Sequence, residues 1–113
     1  MKKTILISAT VLLVGCFSAK LLTPSQADVD RVKPKYTDYS LVELNQGKTL
    51  YEQHCSNCHG LKNPTSRTEE QWKEIVPRMI VKANKKEQTT LDAKTQESIL
   101  RYVITMSNAT PTK

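Results

Sequence analysis

The fold is decided by the stretch Cys55-Ser56-Asn57-Cys58-His59. A Cys-x-x-Cys-His run is the attachment signal for a covalently bound c-type haem. Two thioethers, from Cys55 and Cys58, would hold the porphyrin edge, and His59 would supply an imidazole to the iron. The same residues are compatible with a redox dithiol, or with three ligands of a zinc site that lacks its fourth. We expect one covalent haem c, because both flanks have the pattern of helices and lack the strand-helix-strand pattern expected around a redox dithiol.

The N-terminus has the pattern of an export signal. Lys2 and Lys3 precede an apolar stretch of about ten residues, from Ile5 to Val14, which is too short to span a bilayer and well sized for a secretory signal. We therefore predict that residues 1–15 are a signal peptide.

The signal ends in Leu13-Val14-Gly15-Cys16, which resembles the lipobox of bacterial lipoproteins, where the chain is cut before the cysteine and that cysteine receives lipid. Acylation of Cys16 would also explain a third cysteine in an exported chain whose other two are committed to haem. The alternative is a soluble secretory protein with a chance cysteine. The resemblance implies a lipoprotein tethered to the extracytoplasmic, periplasm-facing side of a bacterial membrane without spanning it.

The mature chain would have 98 residues, which allows one small domain. Residues 16–37 lack a sustained apolar period, so we predict a lipid-anchored cysteine followed by a flexible tether. The folded domain is expected over residues 38–108, with a short tail at 109–113. About seventy residues rarely build a sufficient core unaided, so the haem would act as a staple.

The formal net charge of +6 falls to about +4 once the signal is removed. The basic residues are spread over the domain and form no long run interleaved with aromatic residues, which argues against nucleic-acid binding. The excess charge is compatible with steering toward an acidic redox partner or an anionic membrane, and equally with a solvated surface.

Three helical segments and no strand pattern predict an all-α domain. In the first segment, Leu41, Leu44, Gly47 and Tyr51 recur at helical spacing before the attachment motif. A glycine inside a helix costs about 1 kcal/mol relative to alanine, so we expect another helix to approach closely at Gly47. The expected partner is a last helix over about residues 92–106.

The middle segment begins with a predicted capping box, with Thr68 at the N-cap and Gln71 reaching back. Apolar residues then follow at helical spacing from Trp72 to Ile80. Pro77 interrupts this stripe, which predicts a kink or two short helices meeting there.

Two stretches resemble small class I cytochromes c. The segment Gly47-Lys48-Thr49-Leu50-Tyr51 is similar to their N-terminal helix, which crosses the C-terminal helix. The run from Trp72 to Met79 resembles a Trp-x-x-x-Val-x-Arg-Met pattern found in haem domains of amine dehydrogenase subunits, among others. The resemblance implies a cytochrome c-like domain of three to four helices around one haem, with Trp72 beside the porphyrin and Met79 at its distal face.

The second axial ligand decides between electron transfer and ligand binding. His54 directly precedes Cys55 and cannot easily reach the haem face opposite His59. The candidates are therefore Met79, which we predict as the ligand, and Met106, which we expect in the core.

The residues after the motif are expected to support the haem. Pro64 would stiffen the loop 61–64, which could present a backbone carbonyl to the other nitrogen of His59. Other candidate contacts are Arg67 and Arg78 with the propionates, and Asn84 facing the iron if the sixth position is open.

We expect a membrane-tethered carrier of single electrons between extracytoplasmic redox partners, such as a membrane electron-transport complex, a dehydrogenase or an oxidase. The alternatives are a haem-based gas or ligand sensor with an open distal site, and the electron-accepting subunit of a dehydrogenase. Catalysis by this chain alone is not expected, because no catalytic triad, paired-carboxylate or phosphate-loop signature is present.

Overall fold

The computed structural model describes residues 21–55 and 60–110, and within these ranges the chain is helical, with no strand. The helices are α1 (Gln26–Val32), α2 (Leu41–Cys55), α3 (Glu69–Glu87) and α4 (Ala93–Ser107), with a short 3₁₀ helix at Pro64–Ser66. The all-α prediction is confirmed for this part of the chain. The predicted signal peptide and Cys16 lie outside the described residues, as do the last three residues of the predicted tail.

A close crossing of α2 and α4 organises the core. A Cβ atom on Gly47 would lie 2.5 Å from the carbonyl oxygen of Ser98 and 2.7 Å from the Cβ atom of Tyr102, so only glycine fits there. One turn later, the rings of Tyr51 and Tyr102 pack with their centroids 5.5 Å apart. The prediction that Gly47 and Tyr51 cross the last helix is confirmed.

The start of α3 also agrees with the sequence. The backbone N–H of Gln71 donates to the hydroxyl of Thr68 at 3.2 Å, and the N–H of Thr68 donates to Oε1 of Gln71 at 2.9 Å. The helix then continues through Pro77, so of the two predicted alternatives the pair of short helices is wrong, and a kink at Pro77 stays a prediction. Trp72 and Ile80 are buried on either side of the proline, and their burial stabilises one continuous helix despite the lost hydrogen bond.

The connection between α3 and α4 is held by polar contacts. Oδ1 of Asn84 accepts the N–H of Leu91 at 2.9 Å, and the backbone carbonyl of Asn84 accepts the N–H of Thr89 at 3.1 Å. Asp92 then caps α4 by accepting the N–H of Thr95 at 2.7 Å, a bond that lowers the pKa of its carboxyl. No helix in the described ranges is both long and apolar enough to cross a bilayer.

The residues before α2 are folded onto the domain, so the prediction of a flexible tether is wrong for residues 21–37. Leu21, Val29 and Tyr39 belong to the hydrophobic core, and Val29 is only 1% exposed. We call residues 21–39 the N-terminal segment. Val29, Val32, Tyr36 and Tyr39 recur three or four residues apart, but Pro34 interrupts this pattern and α1 ends at Val32, so the sequence did not indicate one helix there.

Polar contacts reinforce this packing. Nη2 of Arg31 donates to the carbonyl oxygen of Thr105 in α4 at 2.8 Å, and Nζ of Lys35 pairs with the carboxylate of Glu69 at the start of α3. The folded unit therefore includes residues 21–37, which lie before the predicted boundary at residue 38. It also extends slightly beyond residue 108, because Ala109 is buried.

Candidate functional site

A cavity of about 220 Å³ opens between the end of α2, the residues after the attachment motif and the middle of α3. Its walls combine apolar side chains of α3, the last two residues of α2 and several basic residues. They are His54, Cys55, Gly60, Lys62, Arg67, Trp72, Ile75, Met79 and Lys82. Cys55, the first residue of the motif, therefore borders this cavity. Cys58 and His59 lie outside the described residues.

Trp72 forms the buried wall of the cavity. Its ring is fully buried and stands edge-on to Tyr51, with centroids 6.1 Å apart and planes at 89°. Its Nε1–H donates to the carbonyl oxygen of Pro64 at 2.9 Å, which satisfies the one polar group of the indole. Trp72 is thus held in a fixed orientation, with its position beside a porphyrin still a prediction.

Pro64 supports the site from behind and does not itself line the cavity. It is buried at the start of the 3₁₀ helix, where Asn63 caps the turn by accepting the N–H of Thr65 at 3.2 Å. Two residues earlier, the carbonyl of Lys62 accepts the hydroxyl of Tyr51 at 2.5 Å. These contacts hold the loop after the motif against the core. A contact between this loop and His59 stays a prediction.

Tyr51 therefore has a second role that the sequence did not reveal. Besides packing on α4, it ties the loop at Lys62 to α2. Its hydroxyl is removed from water, and this burial is the main cause of its raised pKa. No local pattern in the sequence relates a tyrosine to a backbone carbonyl eleven residues later.

The two candidate methionines lie in different places. Met79 is half-buried and lines the cavity that Cys55 also borders. Met106 is 2% exposed, packs in the core, and borders a separate groove together with Leu21 and Arg31. The core position expected for Met106 agrees with this burial, and Met79 is the candidate sulfur ligand beside Cys55.

His54 and Glu87 connect the end of α2 with the end of α3. Nδ1 of His54 lies 2.9 Å from Oε2 of Glu87. This pair was missed, since its members are distant in sequence and no motif joins them. Ile75 and Lys82 were also missed as lining residues, although their spacing of one turn before and after Met79 could have revealed them.

The other predicted polar contacts separate into two groups. Arg67 lines the cavity, with its guanidinium carbon 5.8 Å from the centroid of the Trp72 ring. Arg78 is exposed, and its Nε donates to the carbonyl of Glu74 on its own helix at 3.3 Å. Asn84 closes the connection between α3 and α4, so the expectation that it faces the site is wrong.

The described walls fit one edge of an apolar macrocycle attached through cysteine. Trp72, Ile75 and Met79 offer apolar contacts, while Arg67 and Lys82 offer cations suited to carboxylate groups at the rim. The volume is below the ~300–1,000 Å³ of typical ligand pockets, so these residues would enclose only part of a porphyrin.

No known protein family, no curated protein and no solved structure matches the chain. Among the residues outside positions 1–20, 56–59 and 111–113, no group of three or more His, Cys, Asp or Glu is arranged to hold a metal ion. The attachment motif and the cavity beside it are therefore the features of the chain that indicate a function.

Proposed function

We propose that this protein is a membrane-tethered c-type cytochrome that carries single electrons between extracytoplasmic redox partners. One observation carries the proposal: the first cysteine of a haem-attachment motif and the thioether of Met79 line the same apolar cavity. A thioether opposite an imidazole is a common axial pair in electron-carrying cytochromes.

Each residue has a definite part in this proposal. Cys55 and Cys58 would hold the porphyrin edge covalently, and His59 and Met79 would bind its iron. The haem, when bound, provides the one-electron chemistry of its iron. The indole of Trp72 keeps water from one side of the site, and its bond to Pro64 prevents it from turning away.

The size of the domain supports a structural role for the same group. Residues 21–55 and 60–110 enclose a core of mainly aromatic and aliphatic side chains, but the cavity lies open between α2 and α3. A covalently attached macrocycle would join these two helices, adding apolar contact where the described chain leaves space. The protein without haem is therefore expected to be less stable than the protein with it.

The first test is the absorption spectrum and mass of the exported protein. The proposal predicts a mass increased by one haem and a spectrum that changes reversibly between an oxidised and a reduced form. A colourless protein, with the mass of the bare polypeptide plus lipid, would exclude a cytochrome. Rapid binding of carbon monoxide by the reduced protein would instead favour the ligand-binding alternative, since a bound methionine occupies the sixth position.

The second test concerns Met79. Met79→Ala should abolish the sulfur-to-iron charge-transfer band at the red end of the ferric spectrum, because it removes the thioether from the cavity. The matched control is Met106→Leu, a change of similar volume in the core, which should retain the band. A band that persists in Met79→Ala and disappears in Met106→Leu would assign the ligand to Met106.

A further inference from the structure

We propose that the lipid on Cys16 holds one particular end of the domain against the membrane surface, with the candidate haem cavity toward the other end. This inference rests on the lipid anchor in the proposed function. The domain would then have a restricted orientation at the membrane and would not move freely on a long tether. We call the end formed by Leu21, α1 and the end of α4 the anchor end.

The N-terminal segment is fixed to the domain by contacts distributed along it. Leu21 and Val29 are buried in the core, and Arg31 bonds the backbone of Thr105 at 2.8 Å. Further on, Arg101 lies over the ring of Tyr36, 4.8 Å from its centroid. Because apolar, polar and cation-π contacts all involve the segment, its first described residue has a fixed position in the domain.

The chain between the lipid and this fixed point is short. Five residue steps separate Cys16 from Leu21. A fully extended chain spans at most ~3.6 Å per residue, so the α-carbon of Leu21 lies within about 18 Å of that of Cys16. A tether reaching to residue 37 would have allowed about 75 Å on the same basis. Because residues 21–37 are folded onto the domain, the domain cannot move as far from the lipid as a flexible tether would have allowed.

The cavity extends from Arg67, which also borders a groove with Ser107 and Asn108 at the end of α4, toward the far end of α3. Ile104 of α4 and Glu69 of α3 border a groove with Arg31, so α3 begins near the anchor end. At 1.5 Å per residue, Met79 lies about 15 Å further along the α3 axis, and Glu87 about 27 Å. The cavity contains no residue of the N-terminal segment. Redox partners would therefore approach it from the aqueous side or parallel to the membrane.

Residues 21–40 carry no net formal charge, and the residues between Cys16 and Leu21 add one basic side chain, Lys20. Residues 21–40 contain three acidic side chains (Asp28, Asp30, Asp38) and three basic ones (Arg31, Lys33, Lys35). Two ion pairs, Arg31 with Asp28 and Lys33 with Asp30, neutralise part of this charge locally. The orientation should therefore be set by the acyl anchor, because one lysine beside the anchor adds only a small attraction to anionic lipid.

The test measures which end lies near the bilayer. Spin labels are placed on the exposed positions Ala27 and Thr90, as Ala27→Cys and Thr90→Cys, in the full-length lipidated protein on phosphatidylcholine vesicles. The readout is the extra spin relaxation caused by nickel-chelating lipid, which falls steeply with distance. We expect it to be several-fold greater at residue 27, near the anchor end, than at residue 90, beyond the end of α3. Addition of phosphatidylglycerol should change this ratio little.

The matched control inserts about 20 Gly-Ser residues between Lys20 and Leu21, a flexible spacer of roughly 25 Å root-mean-square length. The spacer should bring the two labels to similar relaxation. Similar relaxation without the spacer would overturn the orientation alone. The variant Cys16→Ser, which cannot be acylated, should not bind the vesicles. If the protein with Cys16 also failed to bind them, both the lipid anchor and the orientation would be overturned. A bound but colourless protein with the expected ratio would support the orientation and reject the cytochrome.

Discussion

Two regions pack against α4 in different ways. Helix α2 meets it through backbone contact at Gly47, where no space remains for a single carbon atom. The N-terminal segment meets it through separate anchors, including the buried side chain of Val29 and the bond from Arg31 to the carbonyl of Thr105. The first contact is possible only because residue 47 has no side chain, whereas the second depends on the side chains of Val29 and Arg31.

This difference has consequences for stability and for the site. The α2 crossing fixes the helix that ends at Cys55, so any displacement there would also move the edge of the cavity. No residue of the N-terminal segment lines the cavity. Changes in the segment should therefore weaken the domain, or its attachment to α4, with little effect on the site.

Gly47→Ala is expected to have the largest effect. Alanine would gain about 1 kcal/mol in helix propensity, but its Cβ atom would overlap the backbone oxygen of Ser98, which can yield only if α4 moves. We expect a net loss of about 2 kcal/mol in the free energy of unfolding, measured by denaturant titration. The control is Gln46→Ala, an exposed position one residue earlier, which should change stability by less than about 0.5 kcal/mol. If Gly47→Ala were as stable as the unchanged protein, α2 and α4 could move apart at this contact without loss of stability, and the close crossing would not be required.

The α2 crossing was predictable because a single residue was out of place. Gly47 in an otherwise helical stretch has no local advantage, so its presence indicated a close neighbour, and the apolar stripe ending at Met106 supplied one. The N-terminal segment offered no such signal. Val29, Val32 and Tyr36 recur at helical spacing, but Pro34 interrupts the pattern and charged residues surround it, while Arg31 bonds a backbone atom 74 residues away.

The candidate site, like the fold, was predictable from the sequence only in part. Cys55 and Met79 were found from motifs, because haem attachment requires fixed spacing and the methionine lies on a regular helical stripe. The support around them depends on contacts between distant parts of the chain. The bond from Tyr51 to Lys62 and the pair of His54 with Glu87 each join elements whose relative position only the folded chain establishes.

Val29→Ala tests whether the N-terminal segment unfolds together with the rest of the domain. Removal of two buried carbon atoms should cost about 1.5 kcal/mol of global stability if the segment and α4 form one cooperative unit. Denaturant titration, followed both by helical circular dichroism and by proteolysis within residues 21–39, should report one transition for both probes. The exposed control Ala27→Ser should have little effect. Early proteolysis with unchanged global stability would instead mean that the segment opens by itself, and it would also weaken the proposed membrane orientation.

Glu69→Gln is expected to have the smallest effect, and the effect should depend on pH. Hydrogen bonds from Lys35, in the N-terminal segment, and from Lys73 lower the pKa of the Glu69 carboxyl below its usual value. A carboxyl whose pKa is lower in the folded state stabilises the fold above the pKa of the unfolded chain, and this contribution is lost as the pH falls through the folded pKa. Both lysines are well exposed, so we expect a loss of only about 0.5 kcal/mol at neutral pH.

The control for this variant is Glu70→Gln, because Glu70 shares the first turn of α3 and its favourable position at the helix N-terminus. The difference in unfolding free energy between the two variants isolates the contacts of Glu69 with its two lysines, one of which joins the N-terminal segment to α3. This difference should be present at neutral pH, disappear in acid once both carboxyls are protonated, and shrink in high salt. If the two variants were equally stable at every pH, the lysine contacts would contribute nothing, and the attachment of the segment would depend on its buried anchors and its bond to Thr105 alone.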